Sequence, residues 1–449
     1  MSSLARHLAL AAAGAMALSA SAGAQLLGGG LLPPVVLPGP VGGLSTNNLP
    51  VAGPVLQKIL AQPTAQQAIS PTLDTVTGLS DSVAEAGAPT LLDLRRLRLQ
   101  ELIRTNRQAV ESDGNGVPVR RGIVAVVDPD SMGLQRALGA GFHITADDRD
   151  PALGMRVVSL LSPNGMSAKD GLKRLHKIAP ELQADFDHLF EPAGAGLFPI
   201  AGALAATQGF GGGPTIGMID GGVASHPSLG GARIEQNGFA GAPQPTGHGT
   251  AVASLLVGSQ GPFRGAATGA RLLVADVYGG NRGAGSATSI VRALDWLSGK
   301  RPQVINISLV GPPNMLVQRA IQMVEAHGTQ VVAAVGNDGP AAPPQYPASY
   351  PGVIAVTAVD AAGRALPEAG KPTHLDFAAP GADMAAALPG NGYTRVRGTS
   401  FAAPLAAARL IIAGSPSALM AEARPGKGRV GRGIVCGACR IDPRIVGAK

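Results

Sequence analysis

Short, wholly apolar segments recur through the second half of the chain, and longer stretches with helical spacing separate them. Continuous Val, Ile and Ala runs bounded by turn residues are typical of strands that are buried on both faces. Helices are predicted to begin near His248, Ser286, Asn314 and Ser400. This alternation predicts an α/β fold over residues 200–449, a parallel sheet with helices on both faces. The predicted strands are TIGMID, RLLVADV, QVINISL, TQVVAAV and VIAVTAV.

A smaller domain is predicted over residues 116–195, where strand and helix patterns follow in the order βαββαβ. The strands are VRRGIVAVVDP, FHITADD, MRVVSLLSP and LQADFDHLFEP, and the helices are DSMGLQRALGAG and SAKDGLKRLHKIAP. This order is typical of a small two-layer α+β sandwich. His176 and His188 have no acids or ligands at catalytic spacing, so we expect them on the surface.

The segment before this domain, residues 25–115, begins with Gly, Pro and Leu in no regular period, which indicates a loosely packed leader. From Pro89 to Ser112, leucines at helical spacing alternate with arginines and predict an amphipathic helix. Its basic face either contacts an acidic surface or is solvated, and solvated faces are the more common case.

Residues 1–24 have the pattern of a secretory signal peptide. Arg6 lies in a short polar head, an Ala-rich apolar run follows, and Ala22, Gly23 and Ala24 supply small residues for cleavage. A retained membrane anchor is the alternative, but the run is short for a membrane span. We therefore expect a secreted or periplasmic protein without a stable membrane anchor.

Composition narrows the remaining classes. The formal net charge is +7, but aromatic residues make up only 3% of the chain, so the stacking side chains of nucleic-acid-binding surfaces are scarce. Cys436 and Cys439 are the only cysteines. Zinc requires four ligands and no second cluster supplies them, so a local disulfide is predicted in preference to a metal site or a redox motif.

Three chemically useful side chains lie where the predicted strands end or helices start. Asp220 ends TIGMID, His248 lies between glycines in TGHGTAVASLL, and Ser400 opens a helix in RGTSFAAP. Individually these motifs suit a turn, a loop and a helix cap. Together they provide a hydroxyl nucleophile, a base and an orienting carboxylate, and Asn337 in VGNDG adds an amide donor for an oxyanion.

The order and contexts of these four residues resemble the subtilisin-like serine peptidases over about residues 200–440. The resemblance implies a subtilisin-like peptidase with catalytic Asp220, His248 and Ser400, and with Asn337 in the oxyanion hole. It also implies that residues 116–195 are a propeptide-like domain, a chaperone and inhibitor in cis whose C-terminal tail lies in the active site until it is cut. We expect a peptide or protein substrate, a monomer, no cofactor, no metal site and no nucleic-acid partner.

The resemblance further implies two strand edges between which a substrate peptide pairs. Val310 and Gln345 stand where many relatives have glycine, so the primary pocket is predicted to be narrow and to prefer small or medium residues. Pro404 is expected to free a backbone carbonyl near Ser400. The predicted substrate-binding residues are Gly283, Ala284, Gly285, Ser308, Leu309, Val310, Gly336 and Gln345.

The leading hypothesis is an exported, self-processing serine endopeptidase. Two alternatives remain open from the sequence. One is a non-catalytic binding protein on the same scaffold, and the other is a peptide acyl transferase or cyclase that uses the same triad.

Overall fold

The computed structural model describes residues 90–193, 213–279 and 285–448. The predicted signal peptide and the Gly/Pro-rich leader lie outside the described residues.

Helix α1 (Leu91–Thr105) opens the described chain. Thr90 caps it through a reciprocal capping box with Asp93, which satisfies backbone donors that the helix leaves unpaired. The helix is shorter than predicted, because Val110–Ser112 forms strand β1 instead and pairs with the next strand. The predicted domain boundary at residues 115 and 116 was therefore wrong, since it divides a hairpin.

The N-terminal domain, which we define as residues 110–188, is an antiparallel sheet of five strands with two helices. Strand β2 pairs with β1, β4 and β5, and β3 pairs with β4. Buried side chains such as Val124, Phe142 and Leu175 join the helices to the sheet. The predicted βαββαβ order is confirmed. Its elements are β2 (Pro118–Val127), α2 (Ser131–Gly139), β3 (His143–Asp150), β4 (Met155–Leu161), α3 (Ala168–Ile178) and β5 (Gln183–His188).

The second domain contains a sheet of seven parallel strands, in the order β16-β15-β14-β12-β7-β11-β8. The five predicted strands form its centre, and the two edge strands, β8 and β16, were not predicted. The strands are β7 (Thr215–Asp220), β8 (Arg233–Gly238), β11 (Arg271–Asp276), β12 (Val304–Ile307), β14 (Gln330–Ala334), β15 (Ile354–Val359) and β16 (Phe377–Pro380). Short two-stranded pairs are formed by β6 (Glu191–Pro192), β9 (Ser259–Gln260), β10 (Phe263–Arg264), β13 (Leu309–Val310), β17 (Met384–Ala387) and β18 (Tyr393–Val396).

Helices cover this sheet in two packed pairs, α4 with α7 and α5 with α6. Helix α7 crosses strands β12, β14, β15 and β16, and its buried alanines allow close packing. Among the described residues, no single helix is long and apolar enough to cross a membrane; α7 and α8 reach that threshold only as a pair bent by 108°. The helices are α4 (Gly247–Val257), α5 (Ala287–Lys300), α6 (Met315–Ala326), α7 (Thr399–Ala413) and α8 (Pro416–Glu422).

Strand β5 joins the two domains at the start of α5 and α6. Asp187 accepts hydrogen bonds of 3.0 Å from the backbone N–H and the hydroxyl of Thr288, and Asp185 accepts one of 2.8 Å from the N–H of Met315. Carboxylates at helix N-termini are favourable because unpaired N–H groups and the helix dipole point toward them. Because of this docking, the residues after β5 lie near the carboxyl ends of the parallel strands.

The surface placement predicted for His188 was wrong. Its ring is buried, and Nδ1 lies 3.1 Å from the side-chain amide nitrogen of Asn314, which caps α6. The sequence around His188 gave no sign of this contact, because Asn314 belongs to the other domain. His176 is exposed, as predicted.

The chain ends in a segment that packs beside the edge strand β16, where Ile434 bridges to Ala378. Cys436 and Cys439 are joined by a disulfide in this segment.

Candidate active site

Asp220 and His248 form a buried pair at the carboxyl end of the parallel sheet. Asp220 is the last residue of β7, and His248 is the second residue of α4. His248 Nδ1 lies 2.9 Å from Asp220 Oδ2 and 3.0 Å from Oδ1. Since a carboxylate only accepts, Nδ1 carries the proton and Nε2 is left as the basic nitrogen.

Glycines allow β7 and α4 to approach this closely. A Cβ on Gly221 would overlap the side chain of Thr246, and a Cβ on Gly249 would overlap the carbonyl of Gly221. Thr246 caps α4 by accepting from the N–H of Gly249 at 2.9 Å. The glycines that flank Asp220 and His248 are therefore required by the packing of the pair.

Ser400 lies in the first turn of α7, and Phe401 packs its ring 5.3 Å, centroid to centroid, from the imidazole of His248. Ser400 is fully buried. Within the described residues, neither Ser400 Oγ nor His248 Nε2 has a hydrogen-bond partner. Buried polar atoms normally find partners, so these two unpartnered atoms make the Ser400 hydroxyl and the His248 imidazole the candidate reacting groups.

Pro404 has the role that the sequence predicted. In an α-helix the carbonyl of Ser400 would accept from the N–H of residue 404, and proline has none. The hydroxyl of Ser308 donates to that carbonyl at 3.0 Å instead, and the amide of Asn306 donates to the Ser308 oxygen at 2.9 Å. The carbonyl that Pro404 leaves free thus links the turn that bears Ser400 to Ser308, the residue after β12.

Asn337 lies beside this turn, and its amide has a fixed orientation. Its Oδ1 accepts from the N–H of Thr399 at 3.0 Å, so its Nδ2 faces the cleft and donates to the carbonyl of Ala193. The intervening Gly398 has φ of 141°, a conformation that favours glycine, and a Cβ there would lie 3.1 Å from Asn337 Nδ2.

Residues of the chain itself, Phe190 to Ala193, lie in the cleft as an added strand. Strand β6 pairs antiparallel with β13, Leu309 opposite Pro192 and Val310 opposite Glu191. The N–H of Ala193 donates to the carbonyl of Ser308 at 2.9 Å. The predicted first edge, Ser308 to Val310, therefore holds a peptide strand.

The second predicted edge is described only in part. The N–H of Phe190 donates to the carbonyl of Gly285 at 2.8 Å, so Gly285 pairs with the strand from its other side. Gly283 and Ala284 lie outside the described residues.

Three of the predicted pocket residues lie together near Ala193. A Cβ on Gly336 would lie 3.2 Å from Gln345 Cγ and 3.5 Å from Val310 Cγ1, so these two side chains border the space above Gly336. Gln345 is buried, and its amide donates to the carbonyl of Pro343 at 2.9 Å. The space above Gly336 is thus bordered by two medium-sized side chains, Val310 and Gln345.

Two residues of the cleft were missed by the sequence reasoning. Gly311 lies under the ring of Phe190, where any Cβ would overlap that ring. The hydroxyl of Tyr278 donates to the carbonyl of Phe190 at 3.3 Å. Burial raises the pKa of Tyr278 well above its usual value, with smaller contributions from the nearby Asp220, so the phenol remains a donor. The available sequence clue to Gly311 was its position directly after Val310. No sequence feature pointed to Tyr278.

Asp276, the last residue of the neighbouring strand β11, is a second buried carboxylate whose charge interacts with that of Asp220. It accepts from the N–H groups of Gln244, Tyr278 and Gly279 at 2.7 to 3.0 Å. Burial, and to a lesser extent the charge of Asp220, raises the pKa of Asp276. Within residues 90–193, 213–279 and 285–448, no group of three or more His, Cys, Asp or Glu side chains is placed to hold a metal ion.

Comparisons with known proteins extend this picture. The model of the subtilase family matches residues 211–419. Subtilisin of Bacillus pumilus is 31% identical over 242 residues, which are 51% of this chain and 88% of that protein. Subtilisin E of Bacillus subtilis is 31% identical over 242 residues, which are 63% of that protein. Fervidolysin from Fervidobacterium pennivorans, a keratinolytic enzyme related to subtilisin, shares the fold, with a TM-score of 0.59 and 19% identity over 72% of this chain and 61% of that one.

Proposed function

This chain belongs to the subtilase family of serine-type endopeptidases, and we propose that it is exported and cuts itself between Ala193 and Gly194. The observation that carries the proposal is the strand from Phe190 to Ala193. It pairs with Gly285 on one side and with Ser308 on the other, and its last carbonyl accepts from Asn337. A peptide held in this way presents the bond after Ala193 for cleavage.

The four side chains perform the reaction in defined roles. Ser400 Oγ attacks the carbonyl carbon of Ala193, while His248 Nε2 removes its proton and Asp220 stabilises the resulting imidazolium. The Asn337 amide and the N–H of Ser400, which has no acceptor within the first turn of α7, bind the oxyanion. The bond to Gly194 then breaks, His248 gives the proton to the leaving amine, and water releases the acyl group.

The cleft also indicates which peptides the enzyme cuts. Counting back from the cut, the first position holds Ala193, which has a small side chain, and the fourth holds Phe190 over Gly311. Both side chains are almost fully buried. We expect substrates with a small residue first and an aromatic or large apolar residue fourth, because each misfit costs about 1–3 kcal/mol in such pockets.

The direct test compares the complete chain with its Ser400→Ala variant by intact mass and N-terminal sequencing. The unchanged chain should yield a fragment that begins at Gly194, and the variant should stay whole. Thermal unfolding shows whether the variant folds, and Ser417→Ala, at an exposed position of α8, is the matched control that should be cut like the unchanged chain. Equal cutting of the Ser400→Ala chain would overturn self-processing.

Export is supported by the signal pattern in residues 1–24 and by the disulfide between Cys436 and Cys439, a bond typical of oxidising compartments. Fractionation of a bacterial host should place the chain outside the cytoplasm. Deletion of residues 2–24 should retain it inside. Retention of both forms in the cytoplasm would contradict export.

A further inference from the structure

Two arginines of helix α1 reach the cleft. Arg98 donates to both oxygens of Glu191 at 3.2 Å and to Asp338 Oδ1 at 3.1 Å. Arg95 Nε lies 3.1 Å from Asp338 Oδ2. Glu191 belongs to the strand in the cleft, and Asp338 follows Asn337, so one helix holds both the peptide and the turn that binds its carbonyl.

Apolar contacts fix the helix in this place. Leu99 is buried, and the helix packs beside β1 and β2 of the N-terminal domain. At its other end Leu91 covers Gly339, where a Cβ would lie 3.0 Å from Leu91 Cδ1. Helix α1 therefore contacts the N-terminal domain and the turn from Asn337 to Gly339.

The charges show what the arginines do. Glu191 and Asp338 both bond the same guanidinium, so two carboxylates stand on either side of Arg98. Without the arginines these like charges would repel across the cleft, and Asp338, whose side chain is only 9% exposed, would lose its ion pairs. The helix converts a repulsive contact into an attractive one.

We infer that Asp338 is a guanidinium-binding site at the edge of the cleft, and that helix α1 occupies it to keep the cut strand bound. The inference rests on the proposed self-cleavage. Cutting after Ala193 leaves α1 and Glu191 on one fragment and Asp338 on the other, so the contacts of Arg95 and Arg98 with Asp338 then link the two fragments. The helix and the strand belong to one fragment and both contact the peptidase domain, so binding of either raises the effective concentration of the other. Peptidase activity then appears only when α1 leaves.

The test measures two times in the complete chain: cleavage after Ala193, followed by mass, and the later rise of activity on a peptide substrate. An Arg95→Ala, Arg98→Ala double variant removes the ion pairs of α1 with Asp338 and Glu191. An Arg96→Ala, Arg104→Ala double variant is the matched control, because in the part of the chain that the structure describes these arginines pair only with Asp93 and Glu101 of the same helix. Cleavage after Ala193 should occur in all three chains, and the lag is counted from the cleavage of each. The lag before activity should shorten several-fold in the first variant and stay unchanged in the control.

A second measurement separates charge from packing. Glu191→Gln should shorten the lag in the unchanged chain, since an ion pair is lost, but lengthen it in the Arg95→Ala, Arg98→Ala background, since a repulsion is lost. Salt at about 0.5 M should shorten the lag of the unchanged chain more than that of the double variant. Equal lags in the double variant and its control would overturn the inference. Absence of cleavage in every chain would instead refute the proposed function.

Discussion

Asn337 connects the start of helix α7 to the peptide in the cleft: its amide oxygen accepts from Thr399, and its amide nitrogen donates to the carbonyl of Ala193. One side chain therefore fixes the first turn of the helix that bears Ser400 and binds the carbonyl that Ser400 attacks in the proposed self-cleavage. The two roles are carried by different atoms of the amide, so substitutions can separate them.

We expect Asn337→Ala to lower kcat by about 10²–10³, the usual cost of losing one oxyanion donor, with little change in KM. Asn337→Asp is the informative partner, because it keeps an acceptor for Thr399 but replaces the donor with a negative oxygen. It should be at least as slow as Asn337→Ala. Recovery of activity in Asn337→Asp would assign the loss to the helix cap instead of the oxyanion. Hydrolysis of a short peptide ester provides the measurement.

Much of this arrangement followed from patterns that act locally. Apolar runs alternating with helical spacing predicted the parallel sheet, and the positions of Asp220 at a strand end and His248 at a helix start predicted that these two residues would come together. Pro404 predicted a free carbonyl because its effect depends only on the residue four positions earlier. These features depend on neighbours in sequence, and a single sequence displays them.

The same patterns do not predict contacts between segments that are distant in the sequence. Nothing local to His188 shows that Asn314 will bury it, and nothing in VGNDG shows that Asp338 pairs with an arginine 240 residues away. The alternation in LQADFDHLFEP predicted a strand, but it did not indicate that the end of this segment lies in the cleft. Such contacts depend on how whole domains dock, which composition and periodicity do not encode.

Asp220→Asn should reduce kcat by about 10⁴, because an amide can donate to His248 Nδ1 and stabilise the tautomer whose Nε2 carries the proton. The fold should survive, since Asn matches Asp in size and, among residues 90–193, 213–279 and 285–448, Asp220 is the one carboxylate paired with Nδ1. Thermal unfolding tests the fold, and ester hydrolysis tests the rate. Asp383→Asn, at a position outside the site, should leave the rate unchanged. A loss of less than tenfold in Asp220→Asn would contradict the role given to Asp220.

Gly311→Val should slow cleavage after Ala193, because the new side chain takes the space of the Phe190 ring. The effect is steric, so adding Phe190→Ala to the same chain should restore much of the rate. Gly231→Val is a suitable control, since nothing lies within 4 Å of a Cβ at that position. Rates are followed by the mass of the fragments. Failure of Phe190→Ala to rescue Gly311→Val would show that Gly311 acts through the backbone and not through the pocket.

We expect the docking of the N-terminal domain to depend on pH through a buried carboxylate, Asp150. Asp150 ends β3 at the surface that meets α5, where Asp295 accepts from the N–H groups of Ala152 and Leu153 at 2.8 and 3.0 Å. Asp150 is 4% exposed, and within the described residues its Oδ2 has no hydrogen-bond partner. Burial raises its pKa to about 7, the charges of Asp295 and Asp148 add to this effect, and Arg292 opposes it.

Release of the domain exposes Asp150 and removes Asp295 from it, so its pKa falls back toward 3.8. A pKa that is higher in the docked state means that docking is strongest below about pH 4 and weakens as the pH rises through about 7, by up to about tenfold for each pH unit. After self-cleavage, the fraction of the N-terminal fragment that co-elutes with the peptidase should therefore fall between pH 5 and pH 8. Asp150→Asn should flatten this dependence, whereas Asp147→Asn, which removes only an exposed ion pair with Arg156, should preserve it. An unchanged pH dependence in Asp150→Asn would mean that another group controls release.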